Sequence, residues 1–300
     1  MAILVTPPVL SSLPLGFRFS QSSLQDYLDC PRRFQLRYIQ HLAWPALQSE
    51  PALENERFML RGSLFHHLTQ QFFLGVPPER LQSSVLAAGL GDWWQAFTGF
   101  VRQEQLDPQA EPQPALLYPE VGLSASLGGH RLVAQYDLLR SDPDGRFTIY
   151  DWKTSQKHPG RKWLAGRIQT RLYRFLLVRA GAGLEDTYSA SDAPPAIDPE
   201  MLEMCYWFAL FPDQPVRFGY SAAEYRQDQD FLTNLLQEIA SLRPDQFPLT
   251  PHSERCAYCT YRSLCERGER AGLLSDSVEI ESGSLSDFTL DFEQIAEIEY

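Results

Sequence analysis

Apolar residues in the first third of the chain recur at the three- and four-residue spacing of amphipathic helices. The first of these segments begins after Ser20 or Ser22, since serine often caps helix N-termini. Cys30 and Pro31 interrupt it, because a proline inside a helix forces a break or a restart. Two longer helices are predicted over residues 54–73 and 79–105, and the second contains four large aromatic residues. A helical region therefore precedes the strands.

From residue 115 the spacing of apolar residues changes to the alternation that is typical of β-strands. Three such runs cover residues 115–127, 130–140 and 146–153, and they are separated by turn-forming stretches that contain glycine. A further helix, strand and helix are predicted after them, over residues 163–180, 201–211 and 221–242. This order predicts an α/β protein in which helices cover one sheet and the first three strands form an antiparallel meander.

The composition fits a single large domain with two less regular ends. The 300 residues are 44% hydrophobic, which is ample for a packed core, and we place the domain at residues 17–272. Residues 1–16 are predicted to be irregular, and residues 273–300, with eight acidic residues and no Lys or Arg, to be flexible. No apolar run is long enough to span a membrane and the start lacks the basic region of a signal peptide, so a cytoplasmic protein without membrane contact is expected.

The net charge of −12 at pH 7 argues against a partner that is rich in phosphate groups. The distribution of the charge changes that interpretation. Residues 153–179 contain eight basic residues and no acidic residue, and all three lysines of the chain lie there. This basic segment is therefore a candidate surface for the backbone of a nucleic acid.

A pair of residues in the third predicted strand indicates metal-dependent chemistry. Asp151 and Lys153 are two positions apart, so their side chains project from one face of a strand, while Trp152 projects from the other. The meander places Asp137, near the end of the preceding run, close to Asp151. Two carboxylates can bind a divalent cation that activates water, and a lysine can orient the attacking hydroxide or stabilise the developing charge. By itself, an Asp-x-Lys sequence in a strand is weak evidence, because it is more often an ion pair on the surface of a hairpin.

Five cysteines in a chain expected in the cytoplasm suggest metal binding rather than disulfides. Cys256, Cys259 and Cys265 have the spacing C-x2-C-x5-C, and Cys30 is available as a fourth ligand. Cys205 lies in an apolar strand and is expected to be part of the core. Four thiolates bind either a tetrahedral zinc ion or an iron–sulfur cluster, and buried cysteines without a metal are the third alternative.

Taken in order, five segments of the chain resemble motifs of the PD-(D/E)XK nuclease superfamily, in particular those of nuclease domains of the RecB and AddB type. The segments are FSQSSLQDYLDCPRRFQLRYI, RGSLFHHL, LVAQYDLL, IYDWKTS and IQTRLY. They extend over roughly residues 17–270, nearly the whole chain apart from its two ends. One departure is Ala134, which stands where the family often has glycine.

The resemblance implies a restriction-endonuclease-like core, with a central mixed sheet flanked by helices, and a bound Mg²⁺ or Mn²⁺ ion. The metal ligands that it implies are His66, Asp137, Asp151 and the backbone carbonyl of Trp152. Either His66 or its neighbour His67 could face the site, and the spacing from Gly62 favours the first. Lys153 would be the catalytic lysine. Gln169 and Tyr173 would share one face of the following helix, within reach of the active site or of DNA.

For the cysteines, the resemblance extends to CRISPR-associated exonucleases and implies a structural [4Fe–4S] cluster. Its ligands would be Cys30, Cys256, Cys259 and Cys265, which join the N- and C-terminal segments of the domain. The implied substrate is DNA, with single-stranded ends favoured, in repair and recombination or in CRISPR-type processing. A helicase or a CRISPR-adaptation partner would be a separate protein, because the chain has no Walker-type loop. Two alternatives remain: a non-catalytic, cluster-stabilised DNA-binding subunit of a helicase or integrase complex, and an RNA-directed nuclease.

Overall fold

In the computed structural model, a mixed β-sheet separates two layers of helices. The structure describes residues 12–42, 52–111, 114–184, 197–268 and 272. Six strands among these residues form the sheet: β1 (Arg18–Phe19), β2 (Leu116–Leu127), β3 (His130–Ser141), β4 (Phe147–Lys153), β5 (Leu202–Phe208) and β6 (Val216–Gly219). The predicted α/β class is therefore correct.

Strand pairing makes the sheet mixed. The strands β2, β3 and β4 form the predicted antiparallel meander, and β5 pairs in parallel with β4. The sheet continues with β6 antiparallel to β5, while the short β1 lies parallel to the beginning of β3. The parallel pair of β4 and β5 requires a crossover, and helices cover that connection.

Helices lie before the meander, in the connection from β4 to β5, and after β6. They are α1 (Gln21–Asp29), α2 (Pro31–Phe34), α3 (Ala52–Phe73), α4 (Pro78–Ala87), α5 (Gly91–Gln103), α6 (Arg161–Ala165), α7 (Ile168–Ala180) and α8 (Ala222–Ser241). One layer contains α3, α4 and α5, whereas the other contains α1, α7 and α8. In the described ranges, no helix is both long and apolar enough to cross a membrane.

The predicted helices begin and end mostly where the sequence indicates, but two of them are interrupted. Ser20 caps α1, and Cys30 has the extended backbone that separates α1 from α2, as predicted. The helix predicted over residues 79–105 is instead two helices, because Gly89 adopts a φ of +64° between α4 and α5. The helix predicted over residues 163–180 is likewise divided, since Arg167 is extended between α6 and α7. Residues 1–11 and 273–300, for which irregular and flexible ends are predicted, lie outside the described residues.

Alternation along β4 divides its side chains between the two layers. Trp152 is 1% exposed and packs against Phe97 of α5, with ring centroids 5.3 Å apart and planes nearly perpendicular. Asp151 and Lys153 project toward the opposite layer, which contains α7. The layer of α3, α4 and α5 is rich in aromatic side chains and is called the aromatic layer. It packs against one face of β4, while the polar residues of β4 project from the other face, as the alternation predicts.

Replacing Phe97 with alanine is expected to lower the free energy of unfolding by about 3–5 kcal/mol, because truncation of a fully buried ring leaves a cavity. Urea denaturation measures the change. Leu86→Ala in α4 is the matched control: its side chain is 64% exposed, and its effect should stay within about 0.5 kcal/mol. An equally small effect for Phe97→Ala would contradict the packing of the aromatic layer.

Candidate active site

The antiparallel strands β3 and β4 bring the two predicted carboxylates together where their hydrogen-bonded ladder ends. The last paired residues are Leu138 and Tyr150. Beyond them, a side chain takes the place of the backbone: Asp137 Oδ2 accepts a hydrogen bond of 2.7 Å from the backbone N–H of Trp152. The carboxylate of Asp137 is therefore fixed against the strand that carries Asp151.

Gln169 of α7 joins Asp151 and Lys153 into one buried group. Its Nε2 donates to both carboxylate oxygens of Asp151, at 2.9 and 3.1 Å, and its Oε1 accepts from Lys153 Nζ at 2.8 Å. Lys153 Nζ also lies 3.0 Å from Asp151 Oδ2. All three side chains belong to buried residues, so these charges interact in a less polar medium than water, where their attraction is stronger.

The helix α3 contributes a histidine beside Asp137. His66 Nδ1 lies 3.4 Å from Asp137 Oδ1. The adjacent His67 is exposed, and its Nε2 lies 3.1 Å from the side-chain nitrogen of Gln71 on the same helix. Of the two histidines, the first faces the carboxylates, as the spacing from Gly62 favours.

A third carboxylate, that of Glu120 in β2, reaches the same site and is not predicted from the sequence. The pairs on either side, Pro119 with Leu138 and Val121 with Tyr136, place Glu120 level with Asp137 at a point where the ladder itself is interrupted. Its backbone has a φ of +50°, which is unusual for a residue other than glycine, and its carbonyl and carboxylate accept from Gln135 Nε2 at 2.7 and 3.3 Å. Counting outward from the turn at Gly128 and Gly129 pairs Glu120 with Asp137, and this is the signal that could have identified it.

Burial and crowding of the carboxylates shift the pKa values of this site. Burial, together with the charge of Asp137, raises the pKa of Glu120 to about 7. Burial alone would lower the pKa of His66, but the charge of Asp137 and its hydrogen bond raise it. Burial opposes ionisation of Asp137, yet the charge of His66 and the N–H of Trp152 hold its pKa below the ordinary value. The site therefore attracts positive charge, which a divalent cation supplies more effectively than protons.

Tyr173, the second residue of the predicted Gln-x-x-x-Tyr motif, is buried beneath the site. Its side chain is 6% exposed, and its ring centroid lies 4.9 Å from that of Tyr136. Burial and the charges of Asp151 and Asp137 raise its pKa well above the ordinary value, although a hydrogen bond with Gln169 lowers it. Tyr173 is thus a neutral phenol packed behind Gln169 and is not placed to lie along DNA.

The basic segment of residues 153–179 is not one continuous surface for phosphate groups. Arg174 is 5% exposed and donates to two backbone carbonyls, one of them that of Gly219 at 2.6 Å. The expectation that the whole segment runs along a bound backbone does not hold for Arg174, because its guanidinium bonds to carbonyls inside the protein. Lys162 and Arg179 are exposed. Phosphate contacts from this segment are therefore confined to part of it.

Four cysteines lie near one another at the end of α1. Cys30 follows that helix, and its charge affects the pKa of Cys256, Cys259 and Cys265 alike. Burial is the largest cause of a raised pKa in each of the three, to about 11 for Cys259, so their thiols are protonated at neutral pH in the absence of a metal. All five cysteines are described and none is in a disulfide, and Cys205 is fully buried in β5, as predicted.

Within the described part of the chain, no three His, Cys, Asp or Glu side chains converge tightly enough to hold a metal ion as they stand. In the carboxylate site, the side chains that could bind a metal interact with other side chains: His66 with Asp137, and Asp151 with Gln169. The chemistry of both sets nevertheless fits a metal. Oxygen and imidazole donors suit a divalent cation such as Mg²⁺ or Mn²⁺, whereas four thiols suit zinc or an iron–sulfur cluster.

The mixed sheet carries an aspartate on one strand and an Asp-x-Lys group on the next. This arrangement is typical of one class of proteins, the nucleases that cleave phosphodiester bonds with a divalent cation. The family model described as the PD-(D/E)XK nuclease superfamily matches residues 18–266. Because the match spans most of the chain, the protein belongs to this superfamily. Its restriction-endonuclease-like fold, with a central mixed sheet flanked by helices, is the fold that the five motifs predict.

Two solved structures are more distantly similar to the chain. SSO0001 shares 13% sequence identity at a TM-score of 0.39, over 84% of this chain and 86% of its own. A protein from Eubacterium rectale described as a "putative exonuclease" shares 9% identity at a TM-score of 0.45, over 75% of this chain and 82% of its own. No curated protein matches the sequence. Similarity at this level carries no argument about activity or substrate.

Glu120→Gln is expected to stabilise the metal-free protein at alkaline pH. Because the folded state raises the pKa of Glu120 to about 7 from an ordinary value of 4.5, protonation of this residue stabilises the fold fully below about pH 4.5 and ceases to do so as the pH rises through about 7. Thermal unfolding in EDTA at about pH 5 and about pH 8 measures the effect. The variant should gain melting temperature over the wild type at the higher pH, and equal differences at both would contradict the raised pKa.

Proposed function

We propose that this protein is a deoxyribonuclease that hydrolyses phosphodiester bonds with Mg²⁺ or Mn²⁺. The observation that supports it most directly is the buried group of Asp151, Lys153 and Gln169, with the half-buried Asp137 fixed beside it on the neighbouring strand. An ion pair on the surface of a hairpin would be exposed, whereas Asp151 and Lys153 are both buried. Their burial in a member of a nuclease superfamily supports catalysis.

The residues that would hold the metal ion are His66, Asp137, Asp151 and the backbone carbonyl of Trp152. When bound, the cation activates water and neutralises the charge that grows on the phosphate. Lys153 would orient the attacking water and stabilise negative charge. Its ammonium is held at 2.8 Å by Gln169 and at 3.0 Å by Asp151, so it is positioned before a substrate arrives.

The substrate that we propose is DNA with a free single-stranded end, in repair and recombination or in CRISPR-type processing. The resemblance to RecB- and AddB-type domains is the first support. The burial of the catalytic groups is the second: Asp151 is 4% exposed and Lys153 is 8% exposed. A flexible single strand brings a phosphate into so recessed a site more readily than a stiff duplex does. A helicase or a CRISPR-adaptation protein would supply such a strand.

Asp151→Asn is expected to lower kcat by about 10²–10³-fold, because the amide cannot supply the charge that the cation and Lys153 both need. The measurement is Mg²⁺- or Mn²⁺-dependent release of nucleotides from end-labelled single-stranded DNA. The matched control is Asp144→Asn in the turn between β3 and β4, where the carboxylate pairs, among the described residues, with Arg146 at the surface. This control should keep the wild-type rate.

Two outcomes of that assay would redirect the proposal. If Asp151→Asn and the wild type process DNA equally, the catalytic role is wrong and the non-catalytic DNA-binding alternative is favoured. If RNA of matched sequence is cleaved faster than single-stranded DNA, the RNA-directed alternative replaces the deoxyribonuclease.

We also propose that Cys30, Cys256, Cys259 and Cys265 hold a [4Fe–4S] cluster, with zinc as the alternative metal. Their proximity supports it, as does the side chain of Arg33. The Nε of Arg33 is buried without a hydrogen-bond partner among the described residues, and the charge of Arg33 lowers the pKa of Cys256 and of Cys259. Arg33 also pairs with Asp26 and Asp29. An arginine beside two of these thiols is suited to stabilise part of the negative charge that they carry when they bind a metal. The metal would join both ends of a single domain at residues 17–272.

Cys256→Ser is expected to remove the metal and to lower the melting temperature of the protein, because one ligand of four is lost. Anaerobic purification, followed by iron and zinc analysis and thermal unfolding, measures both changes. Cys205→Ala is the control: Cys205 lies in the core, so the variant protein should retain the metal. Zinc without iron in the wild type would select the zinc alternative. A metal-free wild type with a melting temperature equal to that of Cys256→Ser would remove the proposal.

A further inference from the structure

The geometry points to Gln25 of α1 as a positioning residue for the active site, an inference that rests on the proposed function of that site. Gln25 is half-buried on the first helix of the domain, far along the chain from the catalytic residues. It acts through the start of α7, the helix that carries Gln169.

The helix α7 begins without a cap from its own sequence. Arg167, the residue before it, is extended and makes no side-chain capping hydrogen bond. The first backbone bond of the helix, from Arg171 N–H to the carbonyl of Arg167, is long at 3.4 Å. The first N–H groups of a helix need partners from elsewhere. Gln25 supplies one of them, because its Oε1 accepts from the N–H of Ile168 at 3.2 Å.

The residue capped in this way immediately precedes the residue that organises the active site. Gln169 follows Ile168 in the first turn of α7 and bonds to Asp151 and to Lys153. Loosening of that turn would therefore move the amide that fixes both catalytic side chains. Displacements well below the length of a hydrogen bond are enough to slow a reaction that depends on alignment.

Gln25 is itself held in place by the segment that contains three of the cysteines. Its Nε2 donates to Asp29 Oδ1 at 3.0 Å, one turn further along α1. The same oxygen of Asp29 accepts from Arg255 Nη1 at 3.0 Å, and Arg255 directly precedes Cys256. A continuous series of hydrogen bonds thus leads from the cysteine segment through Asp29 and Gln25 to the N-terminus of α7. Order in that segment would support the active site without touching it.

The test compares Gln25→Leu with the full-length wild type by two measurements. Leucine has a similar size but makes neither hydrogen bond. Hydrogen exchange of the backbone amides in the first turn of α7, from Ile168 onward, should become about fivefold faster, as expected for the loss of a helix cap. On single-stranded DNA, kcat should fall about tenfold with KM unchanged, because orientation rather than substrate binding is lost.

Two further variants separate positioning from a general loss of stability. Gln21→Leu, one turn earlier on α1, is the matched control, since the amide of Gln21 bonds among the described residues to Ser22 Oγ, and it should behave as the wild type. Gln25→Glu keeps an acceptor for the N–H of Ile168 and leaves Asp29 in place to accept from Arg255 and Arg33. This variant should keep most of kcat, and the metal content should be the same in all variants.

Three results would overturn the inference. The first is unchanged hydrogen exchange at the start of α7 in Gln25→Leu. The second is faster exchange with an unchanged kcat, which would show that the cap exists but does not position Gln169. The third is a Gln25→Glu variant that is as slow as Gln25→Leu. A wild type without nuclease activity would instead overturn the proposed function, and it is distinguishable because exchange near Ile168 would still respond to Gln25→Leu.

Discussion

A single hydrogen bond, from the backbone N–H of Trp152 to the carboxylate of Asp137, determines how the sheet and the site meet. At this point β3 and β4 stop pairing through their backbones, and a buried N–H would otherwise lack a partner. By accepting it, Asp137 lets the two strands separate without leaving that group unsatisfied. One oxygen of the carboxylate thus completes the sheet, and the other faces His66. The same residue serves the fold and belongs to the proposed metal site.

The aromatic layer packs against the face of the sheet opposite Asp151 and Lys153. Trp152 and Trp207 occupy matching positions on the parallel strands β4 and β5 and pack among the rings of α3 and α5. Rings of this size leave β4 little freedom to rotate, because a small rotation would open space in a densely packed layer. The direction of Asp151 and Lys153 is therefore fixed by aromatic side chains on the opposite face of the sheet.

Local patterns predict the parts of this structure that depend on local geometry. Alternation predicts the meander and the common face of Asp151 and Lys153, and the ordered motifs select His66 for the same site. The breaks in two helices depend on single residues: Gly89 has a positive φ that glycine tolerates, whereas the residue type of Arg167 does not indicate its extended backbone. Glu120 becomes visible only when β2 is paired with β3. The helical spacing of Gln169 and Tyr173 places them on one face of a helix, but it does not indicate how deeply the sheet buries that face.

The position of α2 has a consequence for the order in which the chain can fold during synthesis. Phe34 at the end of α2 stacks on Phe247, and the N–H of Arg32 in the same helix bonds to the carbonyl of Pro248. A ribosome makes these partners more than two hundred residues after the helix itself. A growing chain therefore contains Asp137, Asp151 and Lys153 well before these contacts of α2 can form. Such a delay would keep the nuclease domain incomplete until Phe247 and Pro248 have been made.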